Sequence, residues 1–224
     1  MAVEIVLVHG SWHGSWCWEP LRVRLDMLGW STHAVDLPSM TGPEYGLEAD
    51  AKVVREKVAS IEGPVVLVGH SYGGEVVSQA SVGVANIARL VYLAAFQIEE
   101  DTSALSVVGR ELPADLELLP PFSNPIDTFY ADVPSDLAQD AVARLRPQSA
   151  QAARDRQAGA GWRDIPSTYI VCERDQAVAP SLQEEMARRA DEVRRLDSSH
   201  SPFLSMPAEL AAMLADLASA VDDN

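Results

Sequence analysis

The chain has 224 residues, of which 47% are hydrophobic and 22% are charged, as expected for a globular domain that buries a sizeable core. Its 17 basic and 33 acidic side chains give a formal net charge of −16 at pH 7, which disfavours nucleic acids and anionic membranes as partners. The first apolar run lacks the preceding basic residues of a signal peptide and is too short to span a membrane, so we expect a cytoplasmic protein.

The predicted strands are six short apolar runs rich in β-branched residues, at positions 3–8, 32–35, 65–68, 90–93, 168–172 and 193–196. Amphipathic stretches predict helices at 18–28, 47–61, 134–145, 181–195 and 207–221. In the fourth of these, Glu184 with Arg188 and Glu185 with Arg189 have the four-residue spacing of helical ion pairs. The alternation predicts an α/β fold, in which one domain over residues 1–224 has a mainly parallel sheet of about six strands with helices on both faces.

Residues 98–163 interrupt this alternation. They contain six prolines and no convincing strand, and only residues 134–145 among them have a helical pattern. We therefore predict an insertion within the domain.

Ser71 is the candidate nucleophile. It lies in the sequence VVLVGHSYGG, where an apolar strand is followed by Gly-x-Ser-x-Gly and then by a run that can form a helix. In that context the pentapeptide predicts a nucleophile elbow, a sharp strand-to-helix turn that exposes the serine and tolerates only small neighbours such as Gly69 and Gly73. The following helix places its positive dipole end near the serine, which favours developing negative charge.

A serine of ordinary acidity needs a general base, and His200 is the best candidate. It follows the last predicted strand and precedes a helix, at the carboxyl edge of the sheet where an α/β protein places its functional loops. His70 adjoins Ser71 but alternates away from it in the turn, so we predict a structural role for His70.

Asp175 is the candidate carboxylate that orients His200, because it closely follows the strand at 168–172 and completes the chain order Ser71, Asp175, His200. Three other acids are alternatives to Asp175. Glu173 is expected to point in a different direction, Asp197 is too near His200 in sequence to reach it easily from a separate strand end, and Asp36 is expected to stabilise a turn.

An oxyanion hole requires two backbone N–H donors, and we predict those of Tyr72, which follows the nucleophile, and Ser11, in the glycine-containing loop after the first strand. In the same loop His9 and His13 have a spacing that could suit a metal, but they lack a helix and a third ligand. We therefore predict no metal and no cofactor.

Four segments, HGSWHGSWCW, GHSYGG, CERDQAVAP and SHSPFLSMP, resemble the α/β-hydrolase superfamily. The resemblance is to the branch of plant methylesterases, plant hydroxynitrile lyases and small bacterial esterases. It implies a serine hydrolase in which residues 98–163 form a small helical cap over Ser71. The lyases of this branch are associated with a threonine and a lysine at the positions of Gly10 and Ser201 in this sequence, so the resemblance favours ester hydrolysis over cyanohydrin cleavage.

The predicted function is the hydrolysis of small carboxylic esters through a Ser-His-Asp triad and an acyl-enzyme, by a monomer or homodimer. We expect Gly10, Trp12 and Phe203 to line the substrate pocket. Two alternatives remain open, because a fold does not determine a function. They are a non-hydrolytic enzyme of the same fold, such as a lyase, decarboxylase or cyclisation catalyst, and a ligand-binding receptor with slow turnover.

Overall fold

A six-stranded sheet forms the centre of the computed structural model, which describes residues 2–222. All neighbouring strands are parallel, in the order β2-β1-β3-β4-β7-β8. The strands are β1 (Glu4–Val8), β2 (Thr32–Val35), β3 (Val65–His70), β4 (Ile87–Leu93), β7 (Ser167–Cys172) and β8 (Glu192–Leu196). The predicted α/β fold is therefore confirmed.

Ten α-helices surround the sheet within residues 2–222. They are α1 (Glu19–Met27), α2 (Leu47–Ala59), α3 (Gly73–Ala80), α4 (Ala104–Val107), α5 (Pro125–Phe129), α6 (Ser135–Arg144), α7 (Ala150–Arg154), α8 (Pro180–Ala187), α9 (Pro202–Ser205) and α10 (Pro207–Asp222). Three short 3-10 helices span Ser15–Trp18, Pro38–Met40 and Gly161–Arg163. No helix in this range is long and apolar enough to cross a membrane.

The four central strands β1, β3, β4 and β7 are largely buried on both faces, which explains why they are mostly apolar, whereas the edge strands β2 and β8 are partly exposed. Alternate side chains of β1 enter different cores, since successive residues of a strand point to opposite faces. Ile5 and Leu7 pack with α1 and α10, whereas Val6 and Val8 pack with α2, α3 and α8. The sheet therefore lies between two helical layers, each with its own hydrophobic core.

The predicted helix at 181–195 is wrong in its second half. Helix α8 ends at Ala187, because the chain turns there and must begin β8 at Glu192. The expected ion pairs are replaced by longer-range ones: Arg189 contacts Glu99 at 3.2 Å, and Arg195 contacts Glu184 at 2.8 Å.

The segment between β4 and β7, residues 94–166, contains two short strands that the sequence did not reveal. Strands β5 (Leu118–Leu119) and β6 (Gln148–Ser149) form an antiparallel pair. Each has only two residues, which is too short for a period-two pattern to be visible in the sequence. The predicted helix at 134–145 is confirmed as α6.

Candidate active site

The candidate site lies where the strand order reverses. Strand β1 has β2 on one side and β3 on the other, so the connections after β1 and β3 leave the sheet in opposite directions. Such a switch point opens a crevice at the carboxyl ends of the strands. The loops after β1, β3, β7 and β8 carry Ser11, Ser71, Asp175 and His200, respectively.

Ser71 occupies a sharp turn between β3 and α3, with a left-handed φ of +53°. A non-glycine residue there is strained, and surrounding contacts must hold it in place. The Ser71 N–H donates to the Leu93 carbonyl at 3.3 Å, and the Ser71 carbonyl accepts from the Phe96 N–H at 3.1 Å. The turn needs glycine on both sides: a Cβ on Gly69 would lie 2.5 Å from the Gly73 carbonyl oxygen, and one on Gly73 would lie 2.7 Å from that of Val8.

His200 and Asp175 form a buried hydrogen-bonded pair, with 2.7 Å between His200 Nδ1 and Asp175 Oδ2. Asp175 is 2% exposed, and its oxygens also accept from the N–H groups of Ala177 and Val178 and from the Gln183 amide, at 2.7 to 3.0 Å. These donors fix the direction of the carboxylate group. Because Nδ1 of His200 contacts the carboxylate, Nε2 is the ring nitrogen that is available to exchange a proton.

A second contact positions the backbone of His200. The His70 Nε2–H donates to the His200 carbonyl at 2.9 Å, and the two rings lie 4.4 Å apart. The structural role predicted for His70 is consistent with this contact. Within residues 2–222 the Ser71 hydroxyl makes no hydrogen bond, to His200 or to any other residue. Catalytic hydrogen bonds of this kind commonly tighten only when substrate binds.

The three alternative acids have other contacts or an exposed position. Asp36 accepts from the Ser15 N–H and hydroxyl at 2.7 and 2.9 Å, so it stabilises the turn after β1 as expected. Asp197 pairs with Arg174 at 2.8 Å, and Glu173 is exposed. Asp175 is the acid that contacts His200 in the described chain.

The N–H groups of Ser11 and Tyr72 have no acceptor within residues 2–222, and both residues line the same cavity as Ser71. The next amide of the loop is occupied, since the Trp12 N–H donates to the Met40 sulfur at 3.2 Å. Of these two neighbouring amides, that of Ser11 is therefore the one without an acceptor in the described chain.

The other histidines of the site are held neutral. Burial lowers the pKa of His9 to about 4 and that of His13 to about 3, and it lowers the pKa of His70 well below its usual value. His9 bridges the Gly10 carbonyl and the Leu37 N–H, whereas His13 bridges the Ser11 carbonyl and the Tyr130 hydroxyl. Their ring nitrogens are therefore occupied, and residues 2–222 contain no cluster of three metal-ligating side chains.

Two buried carboxyl groups lie beneath the site. Asp50 accepts hydrogen bonds from the Tyr72 hydroxyl and from Ser39, and burial raises its pKa to about 6. Glu75 lies on α3, one turn after Ser71, and is 0% exposed. One Glu75 oxygen accepts from the Ala104 N–H, the other has no partner among the described residues, and burial raises the pKa to about 8. Sequence alone did not single out either carboxyl group.

A cavity of about 400 Å³ opens over Ser71. Its walls are largely apolar and come from the loops at the sheet edge and from the segment between β4 and β7: Ser11, Trp12, Tyr72, Phe96, Ala104, Leu105, Val108, Arg110, Leu112, Leu119, Pro120, Pro121, Phe122, Ser123, Phe129, Gln148, Ala153, Ala177 and Val178. Most of these residues follow no regular period, so the sequence pattern does not mark them as a cavity wall.

Two predicted pocket residues do not line this cavity. Phe203 is 0% exposed, with its ring 4.8 Å from that of Trp18 and 4.9 Å from that of His70, so it belongs to the core beneath the site. Gly10 supports Ser71 from below: a Cβ on Gly10 would lie 2.7 Å from the Ser71 Cβ. Both predictions were wrong because proximity in sequence to the catalytic loops does not fix which side of the loop faces the cavity.

Known proteins share this fold and sequence pattern. The alpha/beta hydrolase family matches residues 5–213. Alpha/beta hydrolase nvfD of Aspergillus novofumigatus and Methylesterase 7 of Arabidopsis thaliana are each 27% identical to this chain, with 96% of both chains covered in each comparison. The crystal structure of the methylesterase MES16 from Arabidopsis is similar with a TM-score of 0.83 at 24% identity, over 98% of this chain and 99% of that one.

These similarities extend along nearly the whole chain and include relatives named as hydrolases and esterases. The predicted enzyme class, a carboxylic ester hydrolase, is confirmed at that level. The resemblance seen in the four sequence motifs is confirmed as well: the chain belongs to the alpha/beta hydrolase family.

Proposed function

We propose that this enzyme hydrolyses small carboxylic esters through an acyl-enzyme, with Ser71 as nucleophile, His200 as general base and acid, and Asp175 as the residue that orients His200. The observation that carries the proposal is the buried 2.7 Å contact between His200 and Asp175, at the same edge of the sheet as the strained turn of Ser71. An imidazole held by a carboxylate in this way is the base that activates a serine hydroxyl once the two are within hydrogen-bond reach.

In the acylation step, the Ser71 oxygen attacks the ester carbonyl carbon while its proton moves to His200 Nε2. The carbonyl oxygen becomes an anion held by the N–H groups of Ser11 and Tyr72. Collapse of this intermediate breaks the ester bond, and the leaving alkoxide takes the proton from His200 and departs as the alcohol.

In the deacylation step, water attacks the acyl group on Ser71 while His200 accepts a proton from that water. A second oxyanion intermediate collapses, the acid leaves, and Ser71 recovers its proton from His200. Each oxyanion donor contributes about 3 to 4 kcal/mol to the stabilisation of these intermediates, as in other serine hydrolases. The free amides of Ser11 and Tyr72 support this role.

The cavity supports a compact substrate with an apolar part. At about 400 Å³, with aromatic walls that include Trp12, Phe122 and Phe129, it suits an aryl or short alkyl ester. We further propose that residues 98–163 act as a cap, because many of the cavity-lining residues belong to that stretch.

The test uses a panel of p-nitrophenyl and aryl methyl esters together with a fluorophosphonate probe. Wild type is compared with Ser71→Ala and with the matched control Ser219→Ala, since Ser219 is exposed on α10 and does not line the cavity. We expect hydrolysis and probe labelling in wild type and Ser219→Ala, and neither in Ser71→Ala.

Two outcomes would count against the proposal in different ways. Hydrolysis by Ser71→Ala at the wild-type rate would remove Ser71 from the nucleophile role. Labelling of Ser71 without hydrolysis of any ester would mean that the nucleophile is competent in a different reaction, as in the non-hydrolytic alternative.

A further inference from the structure

Gln148 is an unusual residue of the cavity wall. It lies in strand β6, it is 0% exposed, and neither Oε1 nor Nε2 of its amide has a hydrogen-bond partner within residues 2–222. A buried amide without partners is unfavourable, because it loses its hydrogen bonds to water and gains none in return. Such a group in the wall of a cavity calls for a partner from outside the protein, which a bound ligand or an ordered water can supply.

Other buried glutamines show that this fold can satisfy an amide. Gln183 bonds to Asp175 and to the backbone of Cys172 and Val178, and Gln79 bonds to Glu48 and to the Ala158 N–H. Among the buried glutamines of the described chain, Gln148 is the one with both amide atoms unpaired.

Backbone contacts tie the Gln148 segment to the loop that carries Ser11. The Arg146 N–H donates to the Trp12 carbonyl at 2.9 Å, and the Trp12 indole N–H donates to the Leu119 carbonyl at 3.0 Å. Leu119 is the strand partner of Gln148. Gln148 therefore belongs to the wall beside the oxyanion loop.

We propose that Gln148 is a specificity-determining residue that selects esters carrying a neutral hydrogen-bonding group, such as a hydroxyl or a carboxamide, on the part held in the cavity. This inference rests on the proposed ester hydrolysis and adds the substrate class. An amide offers both donors and acceptors, so it can pair with either kind of group. A wholly apolar ester of the same size leaves the amide unpaired and is disfavoured.

The test compares aryl methyl esters that differ in one ring substituent, with a hydroxyl or carboxamide in one series and a methyl group in the other. Gln148→Met keeps the length of the side chain and removes its polar atoms, and Gln148→Leu provides a second apolar variant. The matched control is Gln139→Met, since Gln139 is exposed on α6. Thermal unfolding of each variant verifies that it is folded.

We expect wild type and Gln139→Met to prefer the polar ester over its methyl counterpart in kcat/KM by about tenfold or more, equivalent to about 1.4 kcal/mol. Folded Gln148→Met and Gln148→Leu should lose that preference, chiefly by a lower kcat/KM for the polar ester. Equal kcat/KM values for the two esters in wild type, or a preference that survives in both Gln148 variants, would overturn the inference.

A binding measurement separates this inference from the proposed function. Calorimetry of the same ester pairs on Ser71→Ala, with and without Gln148→Met, measures affinity without turnover. Tighter binding of the polar ester that depends on Gln148 supports the inference even if wild type hydrolyses neither ester, in which case the proposed function fails alone. Equal binding of both esters, with normal hydrolysis by wild type, means that the Gln148 amide is satisfied by fixed water and the inference fails alone.

Discussion

The Glu75 carboxyl group should make the stability of this protein depend on pH in a way that one substitution removes. Glu75 is 0% exposed on α3, and burial raises its pKa from 4.5 to about 8. The folded chain therefore holds a proton that the unfolded chain releases above pH 4.5. Stabilisation from this group is fully present below pH 4.5 and is lost as the pH rises to about 8.

Glu75→Gln keeps the shape of the side chain and an acceptor for the Ala104 N–H, but it does not ionise. The free energy of unfolding of Glu75→Gln relative to wild type should rise by about 1.4 kcal/mol for each pH unit in this window. If the difference in free energy of unfolding between Glu75→Gln and wild type at pH 4.5 is taken as zero, that difference should reach about 3 kcal/mol at pH 7. The buried histidines contribute equally to both proteins and cancel in the difference.

The assay is urea unfolding followed by tryptophan fluorescence at intervals from pH 4.5 to pH 8.5, for wild type, Glu75→Gln and the control Glu62→Gln. Glu62 is exposed, so its substitution should give a difference that does not change over this range. A constant difference between Glu75→Gln and wild type would refute the reasoning, because it would mean that Glu75 is ionised in the folded chain.

Three further substitutions test other contacts. Asp175→Asn should lower kcat by about 10⁴-fold, because the amide cannot hold the same tautomer of His200; steady-state kinetics with a near-normal kcat would exclude that role. Gly10→Ala places a Cβ 2.7 Å from that of Ser71. Because this displaces the nucleophile, kcat should fall by about tenfold or more. Unchanged kinetics would show that the loop can move aside. Ser39→Ala removes a 2.6 Å hydrogen bond to the buried Asp50 carboxyl group. The free energy of unfolding, measured by urea unfolding, should fall by about 1 to 3 kcal/mol. No loss of stability would mean that another donor replaces the Ser39 hydroxyl.

The parts of the fold that a sequence predicts well are those with a regular hydrophobic period. All six strands of the main sheet overlap the predicted runs. The central strands are apolar because both of their faces are covered by helices, whereas the edge strand β8 contains three charged residues. The meeting of Asp175 and His200 was predictable for a related reason: the carboxyl ends of β7 and β8 lie side by side in the sheet.

The cavity was less predictable, because its wall is built from irregular backbone. Residues such as Gln148 and Leu119 lie in a strand pair of two residues each, and they reach the site through tertiary contacts that leave no pattern in the sequence. Phe203 shows the reverse case, since it follows the His200 loop in sequence but its ring packs into the core.

Ser71 should form a covalent acyl-enzyme, and rapid mixing of the protein with excess p-nitrophenyl acetate detects that intermediate. Wild type should release a burst of p-nitrophenol of about one equivalent per active site if deacylation is slower than acylation, and mass spectrometry of the quenched protein should find the acetyl group on Ser71. Ser71→Ala should give no burst and no adduct, whereas the surface variant Ser219→Ala should match wild type. Turnover without an adduct on Ser71, retained in Ser71→Ala, would contradict the account.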